Sequence, residues 1–292
     1  MNVFLDRYKE LDQEFNPEKI RVMNTLRVNT LKTDEKELVK RLNAKLTKLS
    51  FLNQGYSYQS EFSMGATPEY LQGYYYLQEA SSQLPAEILM PKENDLVLDM
   101  CAAPGSKTTQ LAQLMNNKGR IIALDANNPR LASLQNNLER CGVTNTLVYK
   151  KDARFAEDLD LKFDKILLDA PCSGNFALEQ NWFSERELED SKLMSKSQKQ
   201  LLDTAINILK LGGVVVYSTC SLEPEENELV INWLLENRDD VELEEIDKNI
   251  GDNGLTSVFG KKLNSQITKC KRLWPHKTGT QGFFLAKIRK KS

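Results

Sequence analysis

The fold class is decided by the stretch Lys165–Ser173, KILLDAPCS, in which an apolar run is followed at once by a short polar turn. A second stretch, Gly213–Ser221, GVVVYSTCS, repeats this pattern. Continuous apolar runs of this kind predict central parallel strands that are buried on both faces. Because ligands of such sheets bind beyond the carboxyl ends of the strands, we expect Cys172 and Cys220 to meet at one cleft. This placement favours cysteine chemistry over simple packing.

A turn of small residues follows an earlier apolar run that ends at Asp99. The turn consists of Cys101, Ala102, Ala103, Pro104, Gly105, Ser106 and Lys107. A helix is predicted from Lys107 onward. Small residues let the backbone approach a ligand closely, and a helix N-terminus favours a polar or anionic group. With one glycine and a proline, the turn matches neither the dinucleotide-binding fingerprint nor a P-loop. A tight strand-to-helix turn without a ligand is the alternative.

Carboxylates end several of the predicted strands. Asp125 closes the strand 120–125 and comes 26 residues after Asp99, close to the roughly 20-residue offset at which an acidic residue reaches ribose hydroxyls. Asp152 follows the strand 147–150, and Asp169 follows the run described above. Each aspartate alone is as well explained by a helix cap or a turn. Together they suit a ligand that carries a ribose and an adenine amine.

In combination these motifs resemble the Nol/Nop/Sun family of S-adenosylmethionine-dependent RNA (cytosine-5)-methyltransferases, and the chain length is similar to that of archaeal members that act on tRNA. The resemblance runs from about Arg27 to Phe284. Its motifs are Arg27–Thr30, Gln78–Ser82, Asp99–Thr108, Asp125, Asp152, Asp169–Ser173, Thr219–Ser221, Arg272–His276 and Gly282–Phe284. The chain departs from the family pattern at Ser106, where a second glycine is usual, and at Gln281, where an acidic residue is common.

The resemblance implies S-adenosyl-L-methionine as the cofactor, bound by residues Cys101 to Lys107. It further implies that Asp125 holds the ribose, that Asp152 lies at the adenine and that Arg130 belongs to the same site. For catalysis it implies Cys220 as the nucleophile and Cys172 as an aid to product release. Asp169 is implied to contact both the cytosine and the methyl-donor end of the cofactor.

Methylation of cytosine carbon 5 explains a need for two cysteines. Carbon 5 is too electron-poor to take a methyl group directly, whereas a thiolate added at carbon 6 makes it nucleophilic. The proton on carbon 5 must then leave before the thiolate is expelled, which a second positioned group can assist. We therefore expect Cys220 to be partly exposed in an electropositive setting, and Asp169 to stabilise charge on the ring.

The 292 residues have room for one sheet domain of about 200 residues and a smaller unit. We expect an α/β fold: an RNA-recognition-like α+β domain at 1–90, then a Rossmann-like methyltransferase domain at 91–292. The sheet of the second domain should be mostly parallel, with a closing antiparallel strand at 283–288 that the resemblance implies. No apolar run approaches ~20 residues and no signal peptide opens the chain, so we expect a cytoplasmic protein without membrane contact. With no Cys-x-x-Cys spacing and one histidine, no metal site is expected.

Periodicity predicts the remaining elements. In the first unit these are an amphipathic helix at 4–15, a strand at 21–31, a helix at 34–46 and a strand with a turn at 50–59. The tyrosines at 70 and 74–76 are predicted to fill a core rather than to stack on bases. In the second unit, helices should follow Gly105, Pro129 and Lys196, the last ending at Gly212, and another should span 225–237.

Charge is distributed unevenly along the chain although the net charge is only −2. Residues 261–292 carry ten Lys or Arg and no acid, whereas residues 222–252 carry twelve acids and two bases. This asymmetry predicts one face for RNA phosphates and another turned to solvent. Trp274, Pro275 and His276 interrupt the basic stretch, so we expect them to contact RNA.

We consider four candidate functions for these motifs. RNA cytosine-5 methylation is favoured, on tRNA rather than rRNA, by a monomer. A DNA cytosine-5 enzyme would use Cys172 as its nucleophile and would not need Cys220. Methylation of an exocyclic amine normally uses an Asp/Asn-Pro-Pro-aromatic motif, which Ala170 and Cys172 break. An RNA-binding assembly factor with dispensable catalysis is the alternative from a different class.

Overall fold

The described strands of this protein form a large, mostly parallel sheet, a small antiparallel sheet near the N-terminus and a separate two-stranded sheet. The computed structural model describes residues 2–179 and 181–292. Its strands are β1 (Thr25–Val28), β2 (Lys45–Lys48), β3 (Gly55–Gln59), β4 (Tyr75–Leu77), β5 (Leu96–Asp99), β6 (Arg120–Asp125), β7 (Thr146–Lys150), β8 (Phe163–Asp169), β9 (Leu209–Thr219), β10 (Val241–Glu244), β11 (Asp252–Asn253), β12 (Ser257–Val258), β13 (Lys261–Lys262), β14 (Lys271–Leu273) and β15 (Phe283–Lys290). Its α-helices are α1 (Val3–Leu11), α2 (Glu35–Arg41), α3 (Pro68–Leu71), α4 (Leu84–Leu89), α5 (Ser106–Leu114), α6 (Asn128–Cys141), α7 (Trp182–Glu185), α8 (Leu188–Ile208), α9 (Glu228–Asn237) and α10 (Pro275–Thr278).

The large sheet confirms the Rossmann-like prediction. Its strand order is β11-β14-β15-β9-β8-β5-β6-β7, and β10 also pairs with β15. The five strands from β9 to β7 run parallel, and β15 closes the parallel part as an antiparallel neighbour of β9. The chain runs from β5 outward to β7 and then returns to β8 on the other side of β5. Ligands bind at such a switch point, so the carboxyl ends of β5 and β8 are the place to look for a site.

The apolar runs are buried because helices cover both faces of the sheet. On one face Leu167 and Val216 pack with residues of α4 and α5. On the other face Ile166, Leu168 and Val215 pack with residues of α8 and α9. Burial of one such side chain contributes about 1.5–3 kcal/mol to the free energy of folding, so these strands form the centre of the core. None of the helices within 2–179 and 181–292 is long and apolar enough to cross a membrane.

The N-terminal sheet has the order β2-β3-β1-β4, and all its pairs are antiparallel. Helix α2 begins after Asp34, whose carboxylate accepts a hydrogen bond from the backbone N–H of Glu37. The prediction of a helix to residue 46 is wrong at its end, because Leu42 is extended and residues 45–48 pair with β3. Tertiary pairing overrides the helical pattern here. Tyr75 and Tyr76 are buried, as predicted.

Two later helix boundaries also differ from prediction. Helix α8 begins at Leu188 rather than after Lys196, because Glu187 and Asp190 form a capping box. It ends before Leu209, which pairs with Phe163 as the first residue of β9. Helix α9 begins at Glu228 rather than at residue 225.

Several charges of the two oppositely charged segments pair with each other, which contradicts the predicted separation into a phosphate face and a solvent face. Antiparallel pairing of β10 with β15 and of β11 with β14 brings the segments together. Arg272 pairs with Glu228 where both side chains are fully buried. Lys287 lies 3.0 Å from Glu244, which also pairs with Arg289. A count of charges along the chain cannot detect this mutual neutralisation.

Trp274 is buried, which contradicts its predicted contact with RNA. It packs with Phe4, Tyr8 and Phe15 in an aromatic cluster that anchors the N-terminal segment against the second unit. Pro275 is also buried. The His276 side chain is only 4 % exposed and lies beside Asp12. This part of the basic stretch therefore forms a core contact.

Candidate active site

The sulfur atoms of Cys172 and Cys220 lie 3.0 Å apart at the carboxyl edge of the sheet. They meet because β8 and β9 are parallel neighbours in which Asp169 lies opposite Ser218. Each cysteine follows its strand by one to three residues, and both side chains are partly exposed. The hydrogen bond with Cys220, together with burial, holds the pKa of Cys172 well above its ordinary value. Cys172 therefore stays protonated, and its sulfur is close enough to that of Cys220 to donate a hydrogen bond to it.

Asp169 lies beside this pair, at the end of β8. One carboxylate oxygen accepts a hydrogen bond of 2.7 Å from the Ser218 hydroxyl. The other lies 2.7 Å from the ammonium group of Lys107, which also donates to Ser82. Lys107 was predicted as part of the cofactor loop, and here it joins that loop to the cysteine-bearing strand.

The loop from Asp99 to Lys107 is held tightly behind the site. Gly105 has φ +106°, and a Cβ atom there would lie 2.9 Å from Leu134 Cδ1. Glycine is therefore required by both the backbone conformation and the space. Arg130 donates to the Ala103 carbonyl at 2.5 Å. Ala102 and Ala103 are almost fully buried, so the loop presents mainly backbone.

Asp99 is buried at the start of this loop. Its Oδ2 accepts a hydrogen bond from the Thr108 hydroxyl at 2.7 Å, while its Oδ1 has no partner. Burial raises the pKa of Asp99 to about 7. Burial also raises the pKa of Cys101 well above its ordinary value, so this thiol stays neutral.

A cavity of about 260 Å³ opens next to the loop. It is lined by Met100, Cys101, Asp125, Ala126, Asn127, Arg130, Lys151, Asp152, Ala153, Arg154, Pro171, Ser197 and Leu201. The Asp125 carboxylate accepts backbone hydrogen bonds from Ala103 and Asn127. Asp152 pairs with Arg154 at 2.5 Å, and the hydrogen bond from Arg154 lowers the pKa of Asp152. The structure thus brings four predicted residues, Cys101, Asp125, Arg130 and Asp152, to one cavity.

A larger groove of about 1220 Å³ lies on the N-terminal unit, against α2, β2 and Tyr56. Within residues 2–179 and 181–292, no three His, Cys, Asp or Glu side chains gather as a metal site would require.

Sequence reasoning missed two carboxylates near the site, the buried Glu226 and the half-buried Glu79. Glu226 accepts hydrogen bonds from Ser173 and Ser221, the residues that follow the two cysteines. Glu79 accepts backbone hydrogen bonds from Ser81, Ser82 and Gln281. Gln281 contacts Glu79 through its backbone N–H, which any residue other than proline would supply. The glutamine at position 281, where the family often has an acidic residue, therefore keeps this contact. The position of Glu226 shortly after Cys220 could have marked it as a site residue. It was overlooked because it lies in a run of acidic residues, which is typical of a solvent-exposed segment.

Comparison with known proteins identifies the family. Residues 86–289 match the family described as 16S rRNA methyltransferase RsmB/F, and residues 2–80 match the N-terminal domain of 16S rRNA methyltransferase RsmF. The chain belongs to the Nol/Nop/Sun family. The resemblance drawn from the motifs is thereby confirmed.

Individual members of the Nol/Nop/Sun family are similar over nearly the whole chain. A 28S rRNA (cytosine-C(5))-methyltransferase of Mus musculus is 40% identical over 91% of this chain and 35% of its own length. A tRNA (cytosine(49)-C(5))-methyltransferase of Pyrococcus abyssi is 38% identical over 98% of this chain and 95% of its own length. The solved structure of a methyltransferase homolog protein from Pyrococcus horikoshii is 42% identical, with a TM-score of 0.90 over 99% of this chain and 94% of that one. The chain spans about a third to a half of the length of the eukaryotic relatives it matches.

Proposed function

We propose that this protein transfers a methyl group from S-adenosylmethionine to carbon 5 of cytosine in RNA, through a covalent bond to Cys220. The observation that carries the proposal is the 3.0 Å contact between the Cys172 and Cys220 sulfurs beside Asp169. Of two thiols in contact, one can add to carbon 6 and the other can assist the later loss of the carbon 5 proton. A single thiol bonded to carbon 6 cannot also act as that base. Membership of an RNA methyltransferase family supports this reading.

The cavity beside the loop suits S-adenosylmethionine by its donor set. The carboxylates of Asp125 and Asp152 are acceptors suited to ribose hydroxyls and an adenine amine, and Cys101 at the start of the Gly105 loop lines the same cavity. Arg130 supports the loop from behind by binding the Ala103 carbonyl. When bound, this cofactor supplies the methyl group as an electrophilic carbon on sulfur. We assign its binding to Cys101–Lys107, Asp125, Arg130, Asp152 and Asp169.

In the first step the Cys220 thiolate forms a bond to carbon 6 of cytosine, and electron density moves toward carbon 5 and the ring nitrogen. Asp169 is assigned to hydrogen-bond the ring amine, and Lys107 and Ser218 hold it in place. Pre-arranged groups of this kind stabilise charge as it develops without reorganising during the reaction. Carbon 5 is then nucleophilic enough to accept a methyl group.

In the last step the carbon 5 proton leaves and the bond between Cys220 and carbon 6 breaks. The hydrogen bond with Cys220 is the main cause that raises the pKa of Cys172. Once the Cys220 sulfur is bonded to carbon it carries no charge, so the Cys172 thiol loses its proton to water more easily, and the resulting thiolate can accept the carbon 5 proton. The same contact thus keeps Cys172 neutral during addition and frees it as a base for elimination.

We infer tRNA as the substrate. The Pyrococcus abyssi relative, named for tRNA, is matched over 95% of its length, whereas the mouse rRNA relative is matched over 35%. The choice of tRNA rests on the relative that this chain matches along almost its whole length. Ribosomal RNA is the second candidate, favoured by the matched family models.

The test is bisulfite sequencing of RNA from a strain that lacks the gene, complemented with the wild type or with Cys220→Ala. We expect one or more tRNA cytosines to lose methylation and to regain it with the wild type only. Loss confined to rRNA would favour the second candidate. An unchanged methylation pattern in all RNA would refute the proposed function.

A further inference from the structure

We infer that Glu226 is a positioning residue of the active site, which joins the turn after Cys172 to the turn after Cys220 and so sets the contact between the two sulfurs. This inference concerns the geometry of the cysteine pair, and its importance for catalysis depends on the proposed function. Glu226 lies in the segment between β9 and α9 and is fully buried.

The carboxylate of Glu226 is surrounded by four donors. One oxygen accepts from the backbone N–H of Ser173 at 3.0 Å and from the Gln198 amide at 2.8 Å. The other accepts from the Ser221 hydroxyl at 2.7 Å and from the Ser173 hydroxyl. Ser173 and Ser221 directly follow the two cysteines, so one carboxylate spans both cysteine-bearing turns.

Further contacts fix this carboxylate in turn. The Gln198 amide also donates to the Pro171 carbonyl at 2.9 Å, which ties the turn before Cys172 to helix α8. The Tyr217 hydroxyl donates to the backbone carbonyl of Glu226 at 2.5 Å. Such supporting hydrogen bonds hold reactive groups to the small tolerances that catalysis needs.

The hydrogen-bond pattern favours an ionised carboxylate. All four partners are donors, and within the described residues no Lys or Arg pairs with Glu226. A buried charge without a cation is costly, so its retention points to a function. Its burial raises its own pKa, and its charge contributes to the raised pKa of Cys172.

The charge therefore acts on the same pair that the hydrogen bonds position. The titratable groups that face the cluster are Cys172, Cys220 and Tyr217, with Asp169 beside them and paired to Lys107. A negative charge next to Cys172 favours the proton of the pair on that sulfur. Glu226 thus helps to keep Cys172 protonated.

The test measures the thiols directly, without RNA or cofactor. Alkylation by iodoacetamide is followed at Cys172 and Cys220 separately by peptide mass spectrometry across a pH series. Glu226→Gln removes the charge, and its amide can still donate to the serine hydroxyls. We expect the pH of half-maximal alkylation of the pair to fall by about one unit, which is about a tenfold rise in thiolate at lower pH.

The contact between the sulfurs is tested with phenylarsine oxide, a trivalent arsenical that binds two adjacent thiols at once. We expect one arsenical to bind the wild type and Glu226→Gln, and none to bind Cys172→Ala. Glu226→Ala, which loses all four hydrogen bonds, should lose arsenical binding while both cysteines remain alkylatable. Glu225→Ala is the matched control, because Glu225 pairs with Arg7 away from the cysteines, and it should behave as the wild type.

The inference is overturned if Glu226→Gln leaves the alkylation profile unchanged, or if a folded Glu226→Ala binds the arsenical like the wild type. Should Glu226→Ala fail to fold, the profile of Glu226→Gln still decides. Because neither assay involves methylation, a failed proposed function would leave these expectations in place.

Discussion

The ammonium group of Lys107 lies 2.7 Å from the carboxylate of Asp169, and only 10 % and 28 % of the two side chains are exposed. The pair joins the first turn of α5, at the cofactor loop, to the end of β8, three residues before Cys172. The two halves of the proposed site, cofactor cavity and cysteine pair, are thereby connected through one ion pair.

Lys107→Met should separate these halves. Asp169 would keep only its hydrogen bond from Ser218, and its displacement should reduce methyl transfer by about a hundredfold. Stability should fall by about 1–3 kcal/mol, measured by urea unfolding, because a largely buried carboxylate loses its partner. The matched control is Lys118→Met, whose pair with Glu93 is 63 % and 45 % exposed and should cost less than about 1 kcal/mol. Equal effects of the two substitutions would contradict this account.

Cys220→Ala should abolish methyl transfer and leave cofactor affinity nearly unchanged, because Cys220 does not line the cavity. Transfer is measured with radiolabelled cofactor and affinity by calorimetry. Turnover that persists in this variant would show that another group is the nucleophile.

Cys172→Ala should accumulate a covalent adduct between RNA and protein, because addition at Cys220 continues while elimination is impaired. The adduct is seen as a slow band on a denaturing gel in the presence of RNA and cofactor. The double variant with Cys220→Ala should give no such band. An absence of adduct from Cys172→Ala would argue against its role in release.

Gly105→Ala should weaken cofactor binding and also lower stability. The left-handed conformation costs a residue with Cβ about 1–2 kcal/mol, and the added carbon would lie 2.9 Å from Leu134 Cδ1. Gly260→Ala is the control, since Gly260 also has a positive φ (+77°) but nothing lies within 4 Å of its Cβ position. We expect both to lose stability and only Gly105→Ala to lose cofactor affinity in calorimetry.

Asp99 should make stability depend on pH. Its pKa is raised from 3.8 to about 7 in the folded protein, so between these values the folded state binds more protons than the unfolded state. Stability from this group is therefore highest at low pH and is lost as the pH rises toward 7. Asp99→Asn removes the titration, so its stability relative to the wild type should increase with pH over this range. Parallel denaturation curves at every pH would show that Asp99 does not carry a raised pKa.

Several features could be predicted because they depend on local pattern and on sheet geometry alone. Strands 96–99, 120–125 and 163–169 are buried apolar runs, and they form where predicted. The convergence of Cys172 and Cys220 also followed, since parallel neighbours end at the same edge. The family motifs then marked Asp125, Asp152 and the Gly105 loop, which line one cavity or border it.

Other features depend on contacts between distant segments. Basic residues that were predicted to bind RNA phosphates instead pair with acidic residues between β10 and β15. Trp274 is enclosed by side chains that include those of the first helix. Glu226 looked like one acid in a solvated run, yet it is the acceptor for both cysteine-bearing turns.

The sequence by itself thus determined that the sheet is parallel, which turns lie at its carboxyl edge and which residue types those turns carry. These features follow from hydrophobic periodicity and strand direction, which are properties of the chain. Only the tertiary structure decided which charges are neutralised, which aromatic residues are enclosed and what holds the two sulfurs 3.0 Å apart. Burial and pairing are set by segments far apart in sequence, and the free energy of a charged or polar group depends on those neighbours more than on its own identity.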